Sequence, residues 1–195
     1  MIRFDHQVIG QWIKPRSRIL DLGCGDGQLM KYLQQQYHVS GYGVEIEIER
    51  VTSAIGNGIN VIQRDLESGL SGFAEQSFDT VILSQTLQAM RKTEFLLSDM
   101  LRVGREGIVT FPNFGYWKNR WQVINGMMPK SEDMPYEWHN TPNIHLCTLQ
   151  DFEDLCRRLN IQVIERHVIT NGKTVYLAPN LLGSLAMYRV TKFAS

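Results

Sequence analysis

The fold is decided by Arg18-Ile19-Leu20-Asp21-Leu22-Gly23-Cys24-Gly25-Asp26-Gly27-Gln28-Leu29-Met30. This stretch begins as a short apolar run of strand length, passes through three glycines at alternate positions, and continues as a helical pattern. A strand, a glycine turn and a helix in this order place bare backbone and a helix N-terminus at the carboxyl end of a parallel strand. Open α/β sheets bind nucleotides at that edge.

The glycine spacing separates two classes of nucleotide ligand. A dinucleotide fingerprint, G-x-G-x-x-G, needs a third glycine where this chain has Gln28, which makes a nicotinamide oxidoreductase a distant alternative. The spacing resembles instead the first motif of the class I S-adenosylmethionine (SAM) methyltransferases. SAM carries an ammonium and a sulfonium, which suit a nearby carboxylate. A turn with no ligand remains the other interpretation. The candidate cofactor-binding residues here are Asp21, Gly23, Cys24, Gly25 and Gly27.

Two further carboxylates follow predicted strands. Glu45 comes after the second strand, where a carboxylate can accept hydrogen bonds from the ribose hydroxyls of an adenosine ligand. The alternative is a solvated acidic helix start, since acids favour that end of a helix. Asp65 follows the third strand, where the methyltransferase pattern has an acceptor for the adenine amino group, although an aspartate there is often only a turn residue. Leu66 and Ser84 complete the candidate cofactor-binding set.

Composition limits the function classes. The chain has 195 residues, 43% of them hydrophobic, which is enough for one substantial core and predicts a single domain over residues 1–195. Lysine plus arginine equals aspartate plus glutamate at 20 each, so no overall positive field attracts nucleic acid. The sequence shows neither a signal peptide nor a membrane-length apolar run, which predicts a cytoplasmic protein. Its three cysteines lack C-x-x-C spacing and predict no metal site.

Apolar periodicity predicts strands alternating with helices along the chain, which means βαβ units. The predicted fold class is α/β, a Rossmann-like class I methyltransferase fold with a mostly parallel central sheet flanked by helices. After the first strand, the predicted strands are 39–44, 59–62, 78–83, 107–111, 161–168 and 185–190.

Residues 111–147 differ from the rest and are called here the aromatic segment. They hold four of the six prolines and three of the four tryptophans. Because the segment leaves the carboxyl end of the fifth strand, we expect an insertion that serves as a lid, an acceptor pocket or a partner surface. Packing under a long loop is the alternative.

Four motifs together give a closer resemblance. They are Leu20-Asp21-Leu22-Gly23-Cys24-Gly25-Asp26-Gly27, Ser84-Gln85-Thr86-Leu87-Gln88, Phe111-Pro112-Asn113-Phe114 and Asn143-Ile144-His145-Leu146-Cys147-Thr148. In this combination the chain resembles the MetW family of methionine biosynthesis. The resemblance implies a protein with a methyltransferase fold that binds SAM or S-adenosylhomocysteine and acts with homoserine O-acyltransferase, regulating or activating it.

The sequence offers little for the chemistry of methyl transfer. Transfer needs an acceptor held in line, plus a base if the acceptor carries a proton. The run Leu87-Gln88-Ala89 has no such base where many small-molecule methyltransferases have histidine. His139 and His145 are the remaining candidate bases, and neither is assigned as catalytic. Two functions therefore stand: a SAM-binding module, and an active methyltransferase for a small-molecule acceptor.

Overall fold

A computed structural model of the chain describes residues 3–193. The strands are β1 (Arg18–Leu22), β2 (Ser40–Glu45), β3 (Val61–Gln63), β4 (Phe78–Ser84), β5 (Gly104–Pro112), β6 (Ile161–Thr170), β7 (Lys173–Thr174) and β8 (Leu185–Lys192). The helices are α1 (Phe4–Trp12), α2 (Gln28–Tyr37), α3 (Ile48–Gly56), α4 (Thr93–Val103), α5 (Trp117–Ile124), α6 (Leu149–Arg158) and α7 (Pro179–Leu182). Within this range, every helix falls short of the length and apolarity that crossing a membrane requires.

All of these strands belong to one sheet with the order β3-β2-β1-β4-β5-β8-β6-β7. Strands β1 to β5 run parallel, and β8 is inserted antiparallel between β5 and β6. The winding direction reverses between β1 and β4, so the crevice of this doubly wound sheet opens at the carboxyl ends of those two strands. The predicted α/β class with a mostly parallel sheet is confirmed.

Two apolar cores lie on the two faces of the sheet. One includes Ile9 of α1, Met30 of α2 and Ala54 of α3. The other includes Leu97 of α4 and Phe152 of α6. Both cores hold side chains with no exposed surface, which keeps the sheet edge above them in a fixed geometry.

Two strands begin two or more residues away from their predicted starts, and the other predicted boundaries agree within two residues. β3 begins at Val61 rather than at residue 59, because Ile59 lies beneath Gly27 and belongs to the core instead of the ladder. β5 begins at Gly104 rather than at residue 107, since its first residue already pairs with Phe78 of β4. Its pairing with β8 continues to Pro112.

A buried asparagine joins the end of β5 to the later part of the chain. Asn113 has no exposed surface, and its Nδ2 donates to the carbonyl oxygens of Asn180 at 3.1 Å and Gly183 at 2.8 Å. Its Oδ1 accepts from the Gly115 backbone at 3.0 Å. The Oδ1 of Asn180 in turn accepts from the Leu149 backbone at 3.1 Å, so the entry and exit of the aromatic segment are held together.

Candidate functional site

The glycine turn between β1 and α2 is fixed by hydrogen bonds to the end of β2. The backbone amides of Gly23 and Cys24 both donate to the Val44 carbonyl, at 2.8 and 3.0 Å. Gly23 has φ +72°, and a Cβ placed on it would lie 2.5 Å from Oγ1 of Thr86. This position therefore requires glycine for its backbone conformation and for close approach to the loop after β4.

Glu45 stabilises the same turn from the second strand. Its Oε2 accepts from the Gly25 backbone at 2.9 Å, and its Oε1 accepts from Ile46 at 2.8 Å and Glu47 at 3.1 Å. Each carboxylate oxygen has two lone-pair sites, so Oε2 retains one for a further donor. Glu45 is thus a buried structural acceptor with capacity for one ligand hydroxyl.

Asp21 lies behind the turn with 2% of its surface exposed. Burial, and secondarily the charge of Glu45, raises the pKa of this carboxyl to about 7. Burial likewise raises the pKa of the neighbouring Cys24 thiol to about 12, which keeps it protonated. Among residues 3–193, no donor bonds the Oδ1 atom of Asp21, so a buried acceptor stands unsatisfied beneath the turn.

These groups surround a cavity of about 570 Å³ at the switch point of the sheet, called here the acidic cleft. Its floor and walls come from Gly23, Glu45, Asp65 and Thr86, and its roof comes from residues of the aromatic segment. Five carboxylates and only two guanidinium groups line it. The charged lining residues are Glu45, Glu47, Asp65, Glu132, Asp133, Arg50 and Arg64. The excess of acceptors and negative charge favours a cationic ligand rich in donors.

Comparison with known proteins identifies the family. The model of the family described as "Methionine biosynthesis protein MetW" matches residues 3–190. The chain belongs to the MetW family. A curated relative, the bifunctional methionine biosynthesis protein MetXA/MetW of Rhodopirellula baltica, is 39% identical over 174 residues. The match covers 84% of this chain but 28% of that relative, so this MetW chain corresponds to a small part of the fused protein.

Solved structures similar to this MetW chain share its fold. A SAM-dependent methyltransferase of Thermotoga maritima, described as a possible histamine N-methyltransferase, matches with a TM-score of 0.69 and 19% identity. The match covers 97% of this chain and 90% of that one. A SAM-dependent methyltransferase of Archaeoglobus fulgidus matches with a TM-score of 0.70 and 15% identity, over 96% and 94% of the two chains. The predicted methyltransferase fold is confirmed.

The predicted site residues of the MetW chain fall into two groups. Gly23, Glu45, Asp65 and Leu66 line the acidic cleft. The others are not among its lining residues: they are Asp21, Cys24, Gly25, Gly27 and Ser84. A Cβ on Gly27 would meet Ile59 at 2.8 Å, so this third glycine permits packing between α2 and the segment after α3.

Sequence reasoning missed several residues of the cleft. Gln85 has φ +50°, and its side chain reaches Asp5 of α1 at 3.4 Å. Gln88 lines the cleft with an Oε1 atom that is buried and, within residues 3–193, unpaired. Both lie in the run 84–88, which is one of the four motifs of the family resemblance. That motif is the sequence signal that could have identified them. Roof residues such as Asp133 carried none, because a long loop has no periodicity to place it.

The aromatic segment of the MetW chain is partly helical and partly exposed. Tyr116 is buried, whereas Trp117 and Trp121 on α5 are 45% and 62% exposed. His139 packs edge-on against Trp138, and His145 donates its backbone N–H to the Gln88 carbonyl at 2.9 Å. Neither histidine lines the acidic cleft.

Proposed function

We propose that this MetW chain binds SAM or S-adenosylhomocysteine in the acidic cleft and acts with homoserine O-acyltransferase, regulating or activating it. The observation that carries the ligand assignment is the acidic cleft itself, with buried unsatisfied acceptors on Asp21 and Gln88 at the switch point of the sheet. SAM presents an ammonium and a sulfonium to such acceptors. A pyrophosphate would meet carboxylates there and be repelled.

Three carboxylates have separate roles in this proposal. Glu45 accepts a ribose hydroxyl through the lone pair left on Oε2. Asp65, whose Oδ1 accepts from the Glu67 backbone at 2.9 Å, uses Oδ2 for the adenine amino group. Asp21 lies behind the turn and outside the cleft lining; with its pKa raised to about 7, its carboxyl is about half protonated at neutral pH, and a cationic ligand bound in front of the turn favours its ionised form.

Glu45→Ala tests the ligand assignment. We expect SAM binding to weaken by roughly 1.5–3 kcal/mol, because a hydrogen bond to a charged acceptor is lost. The same change removes the acceptor for three backbone amides, so we also expect a lower melting temperature. Calorimetry of SAM, S-adenosylhomocysteine and NAD measures the first effect.

Glu75→Ala is the matched control, since Glu75 is exposed and lies outside the lining of the acidic cleft. We expect its SAM affinity to stay near that of the wild type. Wild-type protein that fails to bind SAM, or that prefers NAD, would disprove the ligand assignment.

The partner assignment rests on the family resemblance and is supported by a fused relative. The Rhodopirellula baltica protein carries both MetXA and MetW in its name, and fusion gives two functions a shared chain. A module that binds SAM would report the end product of the pathway to an enzyme of methionine biosynthesis, because SAM is made from methionine. We expect SAM binding to this chain to change the activity of the partner enzyme.

An exposed apolar surface supplies the contact that this partnership needs. Trp117 and Trp121 of α5 lie on the same stretch as Lys118, and Trp117 and Lys118 share a groove with Tyr176 and Leu177. Tyr176 is 87% exposed and Leu177 is 78% exposed. Aromatic residues on an exposed face are typical of the residues that contribute most to interface energy.

Co-purification with homoserine O-acyltransferase tests the partnership. The assay measures acyl transfer with and without this chain, and with and without SAM. We expect this chain to change the acyl-transfer rate and SAM to modulate the change. An unchanged rate in all four combinations, with no co-purification, would contradict it.

Methyl transfer to a small acceptor is the second candidate function. It requires an acceptor in line with the sulfonium and, for an acceptor that carries a proton, a base. Neither His139 nor His145 lines the cleft, so the geometry favours the binding module. Release of S-adenosylhomocysteine on incubation with SAM and a small-molecule library would reverse that preference.

A further inference from the structure

A second cavity of about 600 Å³ lies beside the acidic cleft, between the first turn of α4 and one face of α6. Its floor is apolar, with Phe111, Phe152 and Leu155 among its lining residues. The rings of Phe111 and Phe152 lie 4.9 Å apart and are buried in the core beneath the sheet edge, so the floor is rigid. Ligand sites of this size are typically apolar with a few polar groups that fix orientation.

The mouth of this cavity carries three cations. They are Arg91, Lys92 and Arg158, all exposed. Within residues 3–193, Arg91 and Lys92 form no salt bridge, and Arg158 has only a long contact of 3.9 Å with Glu94. A ligand anion therefore meets guanidinium and ammonium groups that have little competition for their donors.

The other titratable groups of the cavity leave this charge in place. Asp151 is engaged by its own helix start, where its Oδ2 accepts from the N and Oγ1 of Thr148, each at 2.8 Å. Burial raises the pKa of the Cys147 thiol to about 12, so it adds no negative charge at neutral pH. Glu94 is exposed as well, so two carboxylates face three cations among the lining residues of this cavity.

We propose that this cavity binds an amphipathic anion, a carboxylate or similar head group on an apolar body, as a site separate from the acidic cleft. The apolar body lies against the phenylalanine floor and the head lies at the arginine and lysine mouth. This assignment stands whether or not SAM binds.

The two cavities share a wall, and this wall couples them. Gln88 and Asn143 line both. The Gln88 carbonyl accepts from the backbone amides of Ile144 at 2.8 Å and His145 at 2.9 Å, and its Nε2 donates to the Gln85 carbonyl at 2.7 Å. A ligand that shifts this side chain in one cavity changes a wall of the other. On the proposed function, the anion and SAM thus alter each other's affinity by the same factor.

Calorimetry with hexanoate, octanoate and decanoate tests the site on the full chain. We expect affinity to rise roughly fourfold per added methylene, because each lengthens the apolar contact. Octylammonium, with the same chain and the opposite charge, is expected to bind at least roughly tenfold more weakly than octanoate. Absence of octanoate binding, no dependence on chain length, or equal binding of octylammonium would each overturn the proposal.

Two pairs of variants locate the binding. The double variant with Arg91→Gln and Lys92→Gln is expected to weaken octanoate binding roughly tenfold. Lys14→Gln with Arg16→Gln, at exposed cations between α1 and β1, is the matched control without effect. Phe95→Asp, at a 50% exposed lining residue, should also weaken octanoate, whereas Phe193→Asp, at 56% exposure elsewhere, should not. Equal responses within either pair would overturn the assignment to this cavity.

The coupling has its own readout. Octanoate titrations at saturating SAM are expected to give a dissociation constant that differs from the value without SAM. An identical constant would remove the coupling and leave the site. Failure of SAM itself to bind would count against the proposed function alone, because the octanoate titrations without SAM do not depend on it.

Discussion

The glycine-turn region, residues 18–45, and the aromatic segment form opposite walls of the same cleft but are built differently. The first is held by paired strands, backbone hydrogen bonds and glycines that other residues cannot replace. The second has a single short helix, α5, and exposes all three of its tryptophans. Substitutions in the first region should therefore damage the fold or the ligand site, whereas those in the second should damage contacts with other molecules.

The largest effect is expected from Gly41→Ala in β2. Gly41 has φ +142°, and a Cβ there would lie 1.8 Å from the backbone oxygen of Ile19 in β1. Since two backbones would have to separate, we expect loss of the folded state by circular dichroism. Gly56→Ala is the control, because a Cβ there meets nothing within 4 Å and the backbone φ is ordinary. A stably folded Gly41→Ala protein would show that the β1–β2 pair is less rigid than described.

Gly23→Val should damage SAM binding more than folding. The new side chain would clash with Thr86 and resist a φ of +72°, which costs some stability, and it would also occupy the floor of the cleft, which removes space for the ligand. Gly58→Val is the control. It carries a comparable backbone penalty at φ +84° but has open space around it and lies outside the cleft, so it shows the effect of backbone strain without loss of the ligand site. Normal SAM affinity in Gly23→Val, measured by calorimetry, would remove the turn from the ligand site.

A smaller effect concerns pH. Burial raises the pKa of Asp21 above its unfolded value of 3.8 to about 7, so the folded state holds this proton more tightly than the unfolded chain. The free energy of unfolding is then expected to fall as pH rises from about 4 to about 7. Asp21→Asn should flatten this dependence in urea titrations, whereas Asp154→Asn, at an exposed carboxylate, should keep it. Equal slopes in wild type and Asp21→Asn would contradict the assignment.

The smallest effect on stability is expected in the aromatic segment. Trp117→Ala combined with Trp121→Ala removes exposed indoles, so the melting temperature should change little while partner activation falls. Trp12→Ala, at an indole that is 8% exposed in α1, is the contrast and should cost about 3–5 kcal/mol. A large loss of stability in the double variant would assign α5 to the core. Unchanged partner activation would remove it from the interface.

The same contrast explains what the sequence could predict. Strands β1, β2 and β4 and the carboxylates at their ends follow from local patterns, because parallel strands bring their carboxyl ends to one edge. The sequence could not show that Glu45 already binds three backbone amides, since those amides become neighbours only when the turn folds. Nor could it distinguish Gly27, which serves packing, from Gly23, which lines the cleft.

The aromatic segment was predictable as an insertion but not in its details. Tyr116 and Trp117 are adjacent in the sequence, yet one is buried and the other is 45% exposed. Composition cannot separate them, because both belong to the same aromatic run and their burial depends on how the rest of the chain folds around it. The roof of the acidic cleft is likewise set by where this segment folds back, which no periodic pattern records.

The placement of β8 has a consequence for synthesis on the ribosome. Its partner β5 ends at Pro112, but β8 begins only at Leu185, so one edge of β5 stays unpaired while everything between is translated. At an elongation rate of roughly 5–20 residues per second this interval lasts roughly 4–15 s. The waiting edge contains Ile108-Val109-Thr110-Phe111, an apolar strand of the kind that pairs with foreign chains. We therefore expect this edge of the nascent chain to need protection from foreign strands until β8 emerges.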